Sequence, residues 1–167
     1  CGKIVLEHTL TNLFAAKYVS ETVIVVSERD RKDVEAVVRA LKPSIPVKYA
    51  IGGAEREDSV YNGLLLTAED CDIVMVHDGS RPMAGPEWFD NAVSVMERAD
   101  AAVYAVPVKD TVKLREDAET TEPQRLKTLN RSRLIAVQTP QIFRRSVLKK
   151  AHEYAKEQGC SGTDDAS

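Results

Sequence analysis

The sequence is poor in cysteine, and the little it has is scattered. Cys1, Cys71 and Cys160 are far apart and odd in number. They form neither a CxxC metal pair nor a disulfide framework, so a reducing, cytoplasmic setting is expected. No stretch approaches the roughly 18 apolar residues of a membrane-spanning helix, and no signal peptide is visible, so no membrane partner is expected. Positive charge is not in excess: 23 Lys and Arg stand against 26 Asp and Glu, a net charge of −3. Domains that grip nucleic-acid phosphates are usually basic overall, so no nucleic-acid partner is expected, although a local basic pocket is compatible with the balance. Also missing are the GxGxxG and GxxxxGK[ST] phosphate loops, HExxH or another close metal pair, and the GxSxG serine elbow. Chemistry in this chain therefore has to run on cations, backbone amides and a metal.

What is present is one domain's worth of chain. The 167 residues are 43% hydrophobic, enough to bury one core, with no repeat, low-complexity tract or linker. The chain opens on Cys1 rather than Met and closes on Ser167, two residues after the pair Asp164-Asp165; residues 1–167 are read as a single domain, with a fragment of a longer one as the reading its ends suggest. Apolar residues alternate between two periods, as in an α/β domain. Helical stripes run over 4–18 (Leu6, Leu10, Leu13, Phe14), 30–41 (Val34, Val38, Leu41) and 56–68 (Val60, Leu64, Ala68). Two more cover 86–98 (Phe89, Val93, Met96) and 145–158 (Val147, Leu148, Ala151, Tyr154, Ala155). Short apolar runs at 22–26, 47–51, 72–77 and 101–108 read as strands. The alternation implies a mostly parallel sheet with helices on both faces. Residues 109–133 break the rhythm: they are polar, mixed in charge and without a stripe. An arm or binding flap is one reading and a disordered surface loop the other.

Ligands of such sheets collect at the carboxyl ends of the strands. After residue 51 comes Gly52-Gly53-Ala54-Glu55-Arg56-Glu57-Asp58-Ser59, where two glycines allow close backbone approach. Ser59 lies near the next helix start; an ordinary turn with a helix cap is the competing reading. After the third strand comes His77-Asp78-Gly79-Ser80-Arg81-Pro82. A carboxylate at the tip of a buried strand is costly without a partner, and a hard cation such as Mg²⁺ with a nucleotide phosphate is a common reason for one. Arg81 can fork onto a phosphate or pair with Asp78. His77 faces the opposite side from Asp78 and reads as a hydrogen-bonded structural histidine; His8 and His152 read as packing or surface residues. Lys109, Asp110, Thr111 and Lys113 suit an anionic substrate or a solvated surface equally. Asp58, Asp164 and Asp165 are expected to do no more than cap helices or sit at the surface.

At these residues the sequence resembles the 2-C-methyl-D-erythritol 4-phosphate cytidylyltransferase family. The blocks that carry the resemblance are GKIVLEHTL (2–10), GGAEREDSVYNGL (52–64), VMVHDGSRP (74–82), VPVKDTVK (106–113), NRSRLIAVQTPQIFR (130–144) and TDDAS (163–167). They occur in the family's order over nearly the whole chain. The resemblance implies a Rossmann-like nucleotidyltransferase fold that joins CTP to a polyol phosphate, methylerythritol phosphate, with loss of pyrophosphate. It implies nucleotide contacts from Gly52, Gly53, Ala54, Ser59, Asp78 and Gly79, with Asp78 on Mg²⁺. It implies substrate contacts from Arg81, Thr111, Arg131 and Thr139, with Arg131 catalytic. Arg131 and Thr139 match residues that the family's arm brings across a homodimer interface, which would give 109–133 its purpose. The chain departs from the family pattern at Ala54, where an acidic residue is common, and at Gly79-Ser80, where Ala-Ala is frequent. It begins after the family's glycine-rich triphosphate loop and stops before a last strand and lysine; Lys3 matches a different position. Two other readings stand beside this one. The ribitol 5-phosphate cytidylyltransferases share the QTPQ and glycine-pair blocks, though VKDTVK and TDDAS favour the first family. A non-catalytic nucleotide-binding or dimerising module is the reading if the chain is complete as it stands.

Overall fold

A computed structural model describes residues 2–116, 125–159 and 165–166. Cys1, Cys160, residues 117–124 of the expected arm, and most of the TDDAS block, Asp164 included, lie outside the described residues. The chain divides into two compact units, residues 1–103 with 139–167, and residues 104–138.

In the first unit the chain runs α1 (Val5–Phe14), β1 (Thr22–Val26), α2 (Arg31–Leu41), β2 (Val47–Ile51), α3 (Arg56–Leu65), β3 (Ile73–Val76) and α4 (Pro86–Val95). β4 (Ala101–Pro107) leaves this unit and β7 (Ile135–Arg144) returns to it, followed by α5 (Arg145–Gln158). β1 and β2 pair in parallel, Thr22 opposite Val47 through Val26 opposite Ile51. β7 lies between β3 and β4 and pairs with β3 antiparallel, Val74 opposite Phe143 and Val76 opposite Gln141. The α/β architecture is the expected one, with β1, β2 and β3 within a residue of their predicted limits. β7 was not foreseen, and its antiparallel entry adds to the parallel pattern. Pro140 weakens the strand signal of this run, since proline has no N–H for a ladder. The Thr139–Pro140 peptide is cis, and Thr139–Phe143 is buried throughout.

The two-residue period of β3 divides the core. Met75 packs with Ala16, Val19, Ala84 and Phe89, the side that α1 and α4 cover. Val74 and Val76 pack with Leu64, Phe143 and Leu148, the side of α3 and α5. Phe89, Phe143 and Leu148 are fully buried, each worth about 1.5–3 kcal/mol relative to exposure. Three helices are shorter than their stripes suggest, ending at Phe14, Leu65 and Val95. In α3 the terminal turn closes where the Thr67 hydroxyl donates to the Leu64 carbonyl at 2.7 Å. Val93, Val147 and Tyr154, expected on buried stripes, are exposed; Ala92 and Leu148 hold the packed positions, so the buried faces are narrower than the apolar ones. α2 ends as expected before Pro43, with Lys42 in the left-handed region at φ 48°.

In the second unit, β5 (Lys113–Arg115) and β6 (Leu126–Thr128) form an antiparallel hairpin, Lys113 opposite Thr128. A 3-10 turn follows at Arg131–Arg133, where the Asn130 side chain accepts the Ser132 N–H at 3.1 Å. The stretch read as irregular therefore contains two short strands, both solvent-exposed.

Glu21 ties the start of β1 to the end of α3. Its carboxylate accepts the Ala68 N–H at 2.6 Å and lies 2.8 Å from Lys48 Nζ. Burial alone would push this carboxyl up, but the Lys48 and Ala68 hydrogen bonds and the Lys48 and Arg145 charges outweigh it and hold it below the ordinary value of 4.5. A carboxyl that ionises more readily folded than unfolded stabilises above its unfolded pKa and loses that contribution as pH falls. Glu21→Gln should cost about 1 kcal/mol at pH 7. In thermal unfolding, the gap to the unaltered protein should be constant above pH 5 and close as pH drops below 4.5.

Candidate active site

The Gly52–Ser59 turn is shaped by its own backbone and by α3. Gly53 N–H donates to Ser59 Oγ at 3.0 Å, and that hydroxyl donates to the Glu55 carbonyl at 3.1 Å. The Glu55 N–H donates to Asp58 Oδ2 at 3.3 Å, the capping role expected of Asp58. A Cβ on Gly53 would overlap the Asp58 side chain, so this glycine is required by close approach; a Cβ on Gly52 would be crowded by Ser59 Oγ, at 3.2 Å, with its other neighbours at ordinary contact distance. The turn is the capped helix start that was the competing reading, and Gly53 and Ala54 are exposed at the end of β2.

The second loop leaves β3. Asp78 and Arg81 pair with Oδ2 and Nε 2.8 Å apart, both half-exposed. The Arg81 N–H donates to the Asp78 carbonyl at 3.1 Å, closing a tight turn. α1 holds this loop from the side: the Thr9 hydroxyl donates to the Gly79 carbonyl at 2.9 Å, and Asn12 Nδ2 donates to the Pro82 carbonyl at 3.0 Å. Neither Thr9 nor Asn12 stands out in the sequence: they are a polar pair about one helical turn apart, among the further polar residues Glu7, His8 and Thr11 of α1.

Thr139 closes the loop from β7. Continuing the β3–β7 register two steps puts it opposite Asp78, whose N–H donates to Thr139 Oγ1 at 3.2 Å. The same hydroxyl lies 2.9 Å from His77 Nδ1. His77 projects to the Met75 side and meets the Phe89 ring edge-on, centroids 5.1 Å apart. Burial holds its imidazole below the ordinary histidine range, against the raising pull of the Arg81 backbone and the Asp78 carboxylate. It is the hydrogen-bonded structural histidine expected. His8 is exposed, and His152 packs on Tyr61 with centroids 5.7 Å apart.

Asp165 corrects the surface reading given to it. Its side chain is only 1% exposed, with Oδ2 lying 2.7 Å from Arg56 Nη2. Its N–H donates to Gln141 Oε1 at 3.2 Å. Sequence spacing could not bring it to Arg56, over 100 positions away. Of the remaining expected residues, Thr111 and Arg131 lie in the second unit. Thr111 is exposed beside β5, and Arg131 Nη1 donates to the Lys109 carbonyl at 2.8 Å.

With the strand-tip geometry in view, comparison with known proteins is decisive. The family model for 2-C-methyl-D-erythritol 4-phosphate cytidylyltransferase matches residues 1–167. The chain belongs to that family. A relative of the same name from Bacillus pumilus is 42% identical over 163 residues, covering 98% of this chain and 69% of that protein. One from Bacillus velezensis is 41% identical over 166 residues, covering 99% and 69%. A solved 4-diphosphocytidyl-2C-methyl-D-erythritol synthase from Anaerococcus prevotii superposes with a TM-score of 0.88 at 28% identity, covering 99% of this chain and 70% of its own. The Thermus thermophilus cytidylyltransferase superposes at 0.75 with 29% identity, covering 99% and 72%. Family membership supports the Rossmann-like nucleotidyltransferase reading, and among the described residues no helix is long and apolar enough to cross a membrane.

Two substitution series test the local geometry. Gly53→Ala should lower Tm and shift the turn, while Gly52→Ala should do so less, because only a hydroxyl has to move. Thr139→Val leaves the Asp78 N–H and His77 Nδ1 without their partner and should cost about 1–3 kcal/mol in denaturant unfolding, whereas Thr139→Ser should stay close to the unaltered protein.

Proposed function

We propose that the chain joins CTP to 2-C-methyl-D-erythritol 4-phosphate, giving CDP-methylerythritol and pyrophosphate. The observation that carries this reading is the family match along all 167 residues. The chemistry suits the residues. A phosphate monoester is largely dianionic at neutral pH, its second pKa being about 6. Its oxygen can form the bond to the α-phosphorus of CTP as the bond to the β-phosphate oxygen breaks, with no general base required. Catalysis then rests on alignment and charge neutralisation. That accords with a site where the one nearby histidine is half-buried, held below the ordinary histidine range by that burial, and bound to Thr139.

In this reading Gly52, Gly53, Ala54 and Ser59 receive the cytosine and ribose, largely through backbone and shape. Arg81, Thr111, Arg131 and Thr139 receive the polyol phosphate, with Arg131 supplying charge at the reacting phosphates. Asp78 and Gly79 meet the nucleotide. Mg²⁺ typically takes one or two carboxylates and completes its shell with substrate phosphates and water. The half-exposed Asp78 carboxylate fits that donor set, and the described residues hold no cluster of three or more metal-ligating side chains to compete for the ion. Bound there, Mg²⁺ would neutralise phosphate charge. The 109–133 arm serves a homodimer, and the enzyme works in a reducing cytoplasm, where Cys71 stays a thiol.

Pyrophosphate release measured with CTP should be faster with methylerythritol phosphate than with ribitol 5-phosphate; the reverse order would transfer the chain to the ribitol reaction. Asp78→Asn and Arg131→Ala should each cut turnover by about a hundredfold with little change in Tm. Near-normal rates in both would remove the site assignment.

A further inference from the structure

The two loops of the site hang from different strands, β2 and β3, and a chain of polar contacts on the page joins them. Arg56 is the first residue of α3, three positions from both Gly53 and Ser59. Its guanidinium meets the Asp165 carboxylate at 2.7 Å. The Asp165 N–H reaches Gln141, a 3% exposed residue of β7 opposite Val76. Two residues before Gln141, Thr139 holds the Asp78 N–H. We infer that Asp165 is a positioning residue that, through Arg56, sets the nucleotide turn at 52–59 against the Asp78 loop.

The physical case is that Asp165 is too deeply buried for a solvated ion pair. Its two carboxylate oxygens are shut off from solvent and lack a well-directed hydrogen bond among the described residues; the Arg56 charge is what compensates them. A buried carboxylate without its cation is strongly unfavourable, so the turn that carries Arg56 is held to wherever Asp165 stands. Asp165 is in turn held to β7 by its backbone, not by its charge. Neutralising either partner therefore releases the turn and leaves the β3–β7 junction intact. Arg56 keeps 44% of its side chain exposed, so the lever is open to substitution from outside.

This inference rests on the CTP reading above, and the unaltered protein serves as the control for that reading. Steady-state kinetics with both substrates varied should show Asp165→Asn and Arg56→Gln raising the KM for CTP by about tenfold, a loss typical of small misplacement. The KM for the polyol phosphate should stay within about twofold. The double variant should be no worse than the poorer single, and Arg56→Lys, which retains the charge, should recover most of the CTP affinity. If Asp165→Asn fails to fold, Arg56→Gln against Arg56→Lys decides the matter alone. An unchanged KM for CTP in folded variants overturns the inference and leaves the reaction standing, as does an equal rise in both KM values. Absence of CTP turnover by the unaltered protein overturns the reaction itself, and the inference with it.

Discussion

The antiparallel pairing of β7 with β3 is the constraint on which the rest of the site depends. It buries Ile142 and Phe143 on opposite sides of the sheet and carries the chain back from the second unit. At its end, the Thr139 hydroxyl meets both the Asp78 N–H and the His77 ring. A hydroxyl has one proton and two lone pairs. The Asp78 amide uses one lone pair, and His77 takes the proton or, as the Nδ1–H tautomer, the other lone pair. Burial disfavours the charged ring, and in the neutral ring the tautomer decides which of these the hydroxyl supplies.

Charge at the site is arranged in pairs. Asp78 stands with Arg81, and Asp165 stands with Arg56, but the two pairs differ in what surrounds them. The first is half-exposed, and such a pair in water is worth little, so Arg81 can exchange its carboxylate for a phosphate at small cost. The second has its carboxylate sealed from solvent, and exchange there would strand a buried charge. The same residue types are therefore suited to a ligand in one loop and to architecture in the other, and exposure decides between them.

Period-two and helical patterns made most of the first unit legible: β1 and β2 fall on their expected residues, and Asp78 on the tip of β3 follows directly. What stayed hidden was decided by contacts between distant segments. β7 was masked by Pro140, which breaks the local strand signal, while its pairing with β3 is fixed by burial of Ile142 and Phe143. Asp165 looked like one more acidic surface residue because nothing local records that Arg56 comes to meet it. Helix limits were overrun at Phe14, Leu65 and Val95 because apolar residues continue past the last hydrogen-bonded turn. The site residues themselves were legible chiefly through the ordered motif blocks; spacing alone left the 52–59 turn and Lys109–Lys113 open.

A reaction whose nucleophile arrives already ionised asks for accuracy of placement more than for a proton acceptor. The molecule answers with parts that have few ways to relax. Gly53 packs where no Cβ fits, Gly79 lends its carbonyl to Thr9, and the Asp78 amide is held by a buried hydroxyl. Each contact fixes backbone and leaves side chains free to meet the ligand. Backbone amides cannot be exchanged by mutation as side chains can, so a loop held through them keeps its path when its exposed side chains change.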